Sequence, residues 1–312
     1  MSSPTLDGFR ERFSDGKAPV IVFNKSHSGS RILGKLLDSA GVFMGSHVNE
    51  SWDSLDLLEL VQYLVKRYYP DYSPLWDPSR APDRELSGLL GGVFKRHLEA
   101  RQGSLDKPWG WKLCETVYAI PVLDYCFPSA RFIHLIRDGR DVAFCDHKAP
   151  DDPFWRKVYF NTDRIRTYAG LRLTPQAYRR QSHIFNAVHW MNSVSMGRAF
   201  GAMLRERYIE VRYEDFCGDF VGASSRLLSA IGLDDAHSQD AALQDSIHQN
   251  SIGKFRSHPA AQLEQVLGIE KPLLLELGYL TEDPESDASS PWRSNTADRL
   301  LDRWNRSVKR ST

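Results

Sequence analysis

The chain has 312 residues, enough for one large α/β domain or two small ones, and at 41% hydrophobic content it can bury a sizeable core. Forty Lys plus Arg offset forty Asp plus Glu, so no net field attracts nucleic acid or an anionic membrane, and anion binding must come from local clusters. No apolar run reaches the ~18 residues of a spanning helix, the polar N-terminus is not a signal peptide, and Cys114, Cys126, Cys145 and Cys217 are too scattered for a disulfide frame or zinc site. The expected class is a soluble, cytoplasmic, metal-free enzyme.

The first predicted strand is Pro19-Val-Ile-Val-Phe23, a continuous apolar run that stops in a small, polar, Lys-bearing turn. From Ile32 the apolar residues recur at helical spacing: Ile32, Leu33, Leu36, Leu37 and Ala40. A strand, a Ser/Gly-rich bend and a helix start gather unpaired backbone N–H groups and the positive end of a helix dipole at one point, which suits phosphate or sulfate. Lys25 and Arg31 add charge, Ser28 and Ser30 add hydroxyl donors, and Gly29 lets the backbone approach a ligand. The plainer reading is a strand-to-helix turn whose serines cap the helix. The Walker pattern G-x-x-x-x-G-K-S/T is absent.

Next, residues 41–50 form a short apolar piece that breaks into a polar loop, and His47 to Asp53 carry His, Asn, Glu and Asp. Helices are predicted over 55–69, ended by Pro70, and over 86–98; residues 52–104 together read as a helical insertion over one sheet edge. Residues 109–115 are a strand candidate and 120–127 a helix closed by Pro128. A second apolar strand starts at Arg131 and stops at Arg137, where a basic turn to Arg140 opens a helix. The chain therefore uses the same device twice: buried strand, basic turn, helix.

Residues 148–182 mix aromatic and basic side chains with weak periodicity, the texture of a lid or substrate-facing segment, or of a solvated loop. A long amphipathic helix over 183–205, a strand over 208–213, a helix near 225–231 and a Gly-containing basic loop over 251–256 follow. Two helices near 261–267 and 273–277 end a single domain of residues 1–281, leaving 282–312 as a linker and a C-terminal amphipathic helix. Alternating β and α elements predict a parallel sheet flanked by helices, with ligands beyond the carboxyl ends of its strands. Both basic turns fall at that edge.

Two anion sites on one edge suit a nucleotide with two separated anionic groups, and here the residues resemble the PAPS-dependent sulfotransferases, which have a P-loop NTPase-like fold. Their donor, 3′-phosphoadenosine 5′-phosphosulfate (PAPS; product PAP), carries a phosphosulfate at one end and a 3′-phosphate at the other. The turn Lys25-Ser26-His27-Ser28-Gly29-Ser30-Arg31 is similar to the family's 5′-phosphosulfate loop. Phe132-Ile-His-Leu-Ile-Arg-Asp-Gly-Arg-Asp-Val-Ala143 is similar to its 3′-phosphate motif and is the more specific signal. Weaker echoes at Trp109–Lys112, Trp190, Tyr208–Asp215 and Ile252–Arg256 extend the resemblance over residues 19–280.

The resemblance implies sulfuryl transfer to a hydroxyl acceptor, either a carbohydrate or glycoconjugate or a small metabolite, by a bacterial-type enzyme that can be a homodimer. Two positions depart from the pattern. His27 stands where Lys or Arg is usual, so Lys25 and His27 compete for the phosphosulfate. Cys145 stands where the family has a Ser on the 3′-phosphate, which shifts more of that task to Arg137, helped by Lys254 or Arg256. The resemblance also brings Lys112 near the sulfuryl group and points to Glu50 as general base, with His47 close behind and Asp53 and Glu115 as further candidates; His134, inside an apolar strand, reads as a core histidine. Two alternatives stay open. A P-loop nucleotide or nucleoside kinase needs Lys beside the loop Ser and a Mg²⁺-holding Asp, and a catalytically silent PAP(S)-binding protein needs neither.

Overall fold

The computed structural model describes residues 6–12, 18–68, 84–100, 107–148, 151–156, 175–239, 243–244, 247 and 251–281. In chain order its elements are α1 (Leu6–Arg12), β1 (Val20–Asn24), α2 (Arg31–Ser39), α3 (Leu58–Tyr68), α4 (Arg84–Glu99) and β2 (Gly110–Lys112). Then come α5 (Ile120–Cys126), β3 (Arg131–Ile136), α6 (Gly139–Ala143), α7 (Pro175–Leu204), β4 (Tyr208–Arg212), α8 (Tyr213–Gly218), α9 (Phe220–Ala230) and α10 (Ala260–Glu276).

The four strands form one parallel sheet in the order β2-β1-β3-β4. Every residue of β1 is buried, as a parallel strand covered on both faces requires, and its β-branched and aromatic residues favour the pleat. Ile21 and Phe23, with Phe132 of β3, pack under α3, α4 and α5 against Trp109, Trp111 and Phe127. Val20 and Val22, with Ile133 and Leu135, pack on the other side against Leu33 and Leu36 of α2 and Phe216 and Leu227 of α8 and α9. The register pairs Asn24 with Leu135, so the turns that follow β1 and β3 emerge side by side at the carboxyl edge. His134 is fully buried with Nδ1 2.7 Å from the Tyr208 hydroxyl, the core histidine expected.

Three elements differ from expectation. The strand predicted over 109–115 is only three residues long, because the chain tightens into a 3₁₀ turn over Cys114–Ala119. The helix expected near 225–231 starts earlier, at Phe220, where Asp219 caps it by accepting from the Gly222 N–H. The two helices predicted near 261–267 and 273–277 are the single helix α10, which runs through Pro272. That proline costs one backbone hydrogen bond, yet Val266, Ile269, Leu273 and Leu274 stay buried along the helix. The lid-like segment expected over 148–182 lies largely outside the described residues, and the expected tail of 282–312 lies wholly outside them. None of the described helices is long and apolar enough to cross a membrane.

Candidate functional site

The turn after β1 is shaped by its own backbone. The Ser28 N–H and hydroxyl both donate to the Lys25 carbonyl, at 3.1 and 2.6 Å. His27 has φ 70° and Gly29 φ 84°, so the chain turns left-handed twice in three residues. Histidine enters that region more readily than most side chains, which accounts for a non-glycine there. At Gly29 the glycine is required, because a Cβ would lie 2.3 Å from the Tyr213 ring. Helix α2 then starts at Arg31, directing the positive end of its dipole to the same side.

Lys25 is buried and its Nζ donates to Ser26 Oγ at 2.6 Å. Burial pushes its ammonium down to about 8, partly opposed by the nearby Glu115 carboxylate. His27 keeps an exposed edge; the burial of the rest of its ring, and then Lys25, push the imidazole down to about 4. At neutral pH the charge of this turn therefore resides on Lys25 and Arg31, with His27 neutral.

Arg137, at the end of β3, is almost wholly buried. Its Nη1 donates to the His27 carbonyl at 3.1 Å, its Nη2 donates to the Ser251 carbonyl and lies 3.4 Å from Asp141 Oδ2, and the guanidinium stacks over Tyr213 at 5.1 Å. Its Nε is buried without a hydrogen-bond partner. Asp141 in turn accepts from the N–H groups of Gly253 and Phe255, at 2.8 and 3.1 Å, which fixes the 251–257 segment beside β3. One buried carboxylate thus holds both the arginine and the loop that flanks it.

These turns border a cavity of ≈ 380 Å³ whose lining includes His27, Gly29, Arg31, Lys112, Arg137 and Tyr213. A second, narrow pocket of ≈ 40 Å³ lies against Lys25, Glu115, Tyr118, Trp155, His189 and Ser193. Ser26 and Cys114 line both, so the two spaces meet there. On the larger side Lys112 is buried with Nζ 2.7 Å from Asp53 Oδ1 and 2.8 Å from the Ser51 carbonyl. On the smaller side burial, and then Asp53, raise the Glu115 carboxyl above the usual carboxylate range.

The fold thus brings Lys25, Ser26, His27, Ser28, Gly29, Ser30, Arg31, Lys112 and Arg137 to one region. It gives the remaining candidates other surroundings. Glu50 is exposed and lines neither cavity. His47 is exposed and paired with Asp56 at 2.8 Å. The Cys145 thiol donates to the Asp141 carbonyl at 3.2 Å, and burial raises its pKa. Lys254 and Arg256 are exposed on a 3₁₀ turn, Arg256 stacked over Phe255 at 4.9 Å. Sequence reasoning did not single out Tyr213, Asp141 or His147: Asp141 lies four residues after Arg137 in the 132–143 motif and Tyr213 lies within 208–215, whereas His147 is far along the chain from Lys25 and carries no local signal.

A parallel sheet whose two adjacent strands each end in a cation-bearing turn on one cavity defines an α/β protein suited to a ligand with two anionic groups. The chain belongs to the sulfotransferase family, whose model it matches over residues 19–237. No curated protein matches it. Among solved structures it is similar to the sulfotransferase domain of the Synechococcus PCC 7002 olefin synthase, with 17% identity, 86% of this chain and 98% of that chain covered, and a TM-score of 0.47. It is also similar to the sulfotransferase STF9 from Mycobacterium avium, with 14% identity, 91% and 85% covered, and a TM-score of 0.46. A third is mouse sulfotransferase SULT7A1 complexed with PAP, with 13% identity, 99% and 88% covered, and a TM-score of 0.42.

Proposed function

We propose that this protein transfers a sulfuryl group from PAPS to a hydroxyl acceptor. The observation that carries the reading is the cavity bordered by both the Ser26–Arg31 part of the first loop and Arg137, with Lys25 on the adjoining narrow pocket, which suits a donor with phosphosulfate at one end and a 3′-phosphate at the other. Two features fit that donor. The buried, unpartnered Nε of Arg137 is a spare donor for an anion, and Gly29, Ser30 and Arg31, at the start of α2, line the cavity with the positive end of a helix dipole.

Sulfuryl transfer asks for in-line geometry and for positive charge where the leaving oxygen becomes negative. Lys25 would supply that charge. His27, neutral at pH 7, would serve as a loop residue and hydrogen-bonding group. Lys112 would add a second cation, oriented by Asp53. Arg137 would hold the 3′-phosphate, with Lys254 and Arg256 supplying longer-range charge from the rim.

The acceptor hydroxyl needs a base within reach of the proton it loses. Glu115 suits this best, since it lines the narrow pocket beside Lys25 and its raised pKa makes it a stronger base. Asp53 is engaged by Lys112, and Glu50 and His47 lie outside both spaces. A narrow pocket with Tyr118 and Trp155 on its wall beside Lys25 and Glu115 suits an unhindered hydroxyl on a sugar or small metabolite. Retention on immobilised PAP but not on ATP, followed by transfer of labelled sulfate from PAPS to a panel of acceptors, tests the reading; retention on ATP alone would favour the kinase, and retention on PAP without transfer the silent binder.

A further inference from the structure

His147 follows α6, belongs to no motif singled out in the sequence, and is 2% exposed. Its Nε2 lies 3.1 Å from the Val142 carbonyl oxygen. A carbonyl only accepts, so Nε2 carries the hydrogen and Nδ1 keeps a lone pair. That Nδ1 is 3.3 Å from Lys25 Nζ and 3.3 Å from Ser26 Oγ, both of them donors. Burial, and then the adjacent Lys25 and His27, keep the imidazole neutral and its lone pair available. The ring is braced by His27 at 4.2 Å between centroids, and the Tyr178 hydroxyl donates to the His147 carbonyl at 3.4 Å.

We infer that His147 is a positioning residue for Lys25: its Nδ1 holds the ammonium against Ser26, which with Cys114 lines both cavities, and ties the first loop to the end of α6. The inference rests on the proposed role of Lys25 in the transfer. Lysine is a point charge on a flexible four-carbon stem, and the Nδ1 acceptor adds a restraint on its Nζ beside the Ser26 contact. A misplacement of about 1 Å in a reacting constellation costs up to ~100-fold in rate.

Two measurements test it. In the full chain without donor, nitrogen-15 NMR of the histidine rings should show His147 as the neutral Nε2–H tautomer at pH 7; the Nδ1–H tautomer or an imidazolium would overturn the assignment. In sulfuryl transfer, His147→Phe, which keeps a ring and removes both nitrogens, should lower kcat by ~10- to 100-fold while the Kd for PAP changes by less than about threefold. His147→Asn, whose Oδ1 can stand near the place of Nδ1, should recover most of that loss, with melting temperatures checked for both variants. An unchanged kcat in His147→Phe, equal losses in both variants, or a loss of PAP affinity in step with kcat would each remove the positioning role. A wild-type protein that neither binds PAP nor transfers sulfate would sink the proposed function, while the tautomer would still decide the geometry of His147.

Discussion

The Arg137 guanidinium donates to the main-chain carbonyl of His27 across the gap between β3 and β1, so the two turns that border the cavity are joined by one side chain. Arg137→Ala should therefore act in two ways. It should weaken PAP binding by roughly 2–3 kcal/mol, the scale of a charge-assisted hydrogen bond, and weaken binding of adenosine 5′-phosphosulfate much less. It should also loosen the first loop, visible as faster amide exchange at His27 and Ser28. Equal affinity losses for the two nucleotides by calorimetry would detach Arg137 from the 3′-phosphate.

Lys25 sets a pH limit. In the role proposed for Lys25 its cationic form acts on the leaving group, so kcat/KM for PAPS should be level below about pH 8 and fall as pH rises through that value, well short of the 10.5 of an ordinary lysine. For stability the sign is opposite. Because the folded state releases this proton earlier, the unfolded chain binds more protons between pH 8 and 10.5, and Lys25 makes stability rise with pH across that window. Lys25→Arg should abolish the alkaline limb of the rate profile; a limb that stays near pH 8 assigns it to another group.

Glu115→Gln should leave PAP affinity nearly intact and reduce turnover by ~10²- to 10⁴-fold, the usual worth of a general base. Glu50→Gln, on the exposed loop, should turn over close to the wild-type rate. The reverse ranking in a steady-state assay would return the base to the loop after α2.

At Gly29 the close approach of Tyr213 and the left-handed backbone act together. Gly29→Ala should cost about 1–3 kcal/mol in denaturant unfolding and lose PAP binding, since its Cβ meets the ring and its φ is unfavourable for an L-residue. Trimming the ring in Gly29→Ala/Tyr213→Leu should relieve the clash and leave the backbone cost, so full recovery of stability would show that sterics alone matter.

The Lys112–Asp53 pair is nearly out of solvent on the lysine side, at 2% exposure against 16%. Asp53→Ala should destabilise by about 3 kcal/mol, because it leaves a buried ammonium with only the Ser51 carbonyl to accept from it. Adding Lys112→Met to that variant should restore much of the loss, since the uncompensated charge is then gone. Equal stability of Asp53→Ala and wild type in urea would show that water reaches Lys112.

The sequence by itself determined the local parts. β1 and β3 were legible because their apolar runs are continuous and stop at polar turns, and the cationic, small-residue makeup of those turns lies in residue types a few positions apart, Lys25 to Arg31 and Arg137 to Arg140. That the two turns would meet followed from parallel pairing, and the register of Asn24 with Leu135 brings them side by side. Tertiary structure alone decided which side chains surround them. His147 is 122 positions from Lys25, and Lys112 is 59 from Asp53; no local periodicity encodes such meetings. The choice among acidic residues is the clearest case. Glu50 and Asp53 share one polar loop, but Trp52 has φ 64° and the Asn49 side chain accepts from the N–H groups of Ser51 and Asp53, a bend that sends Asp53 to Lys112 and leaves Glu50 in solvent. Periodicity reports which face of an element is buried, whereas the partner found across a loop depends on backbone torsions that composition does not carry.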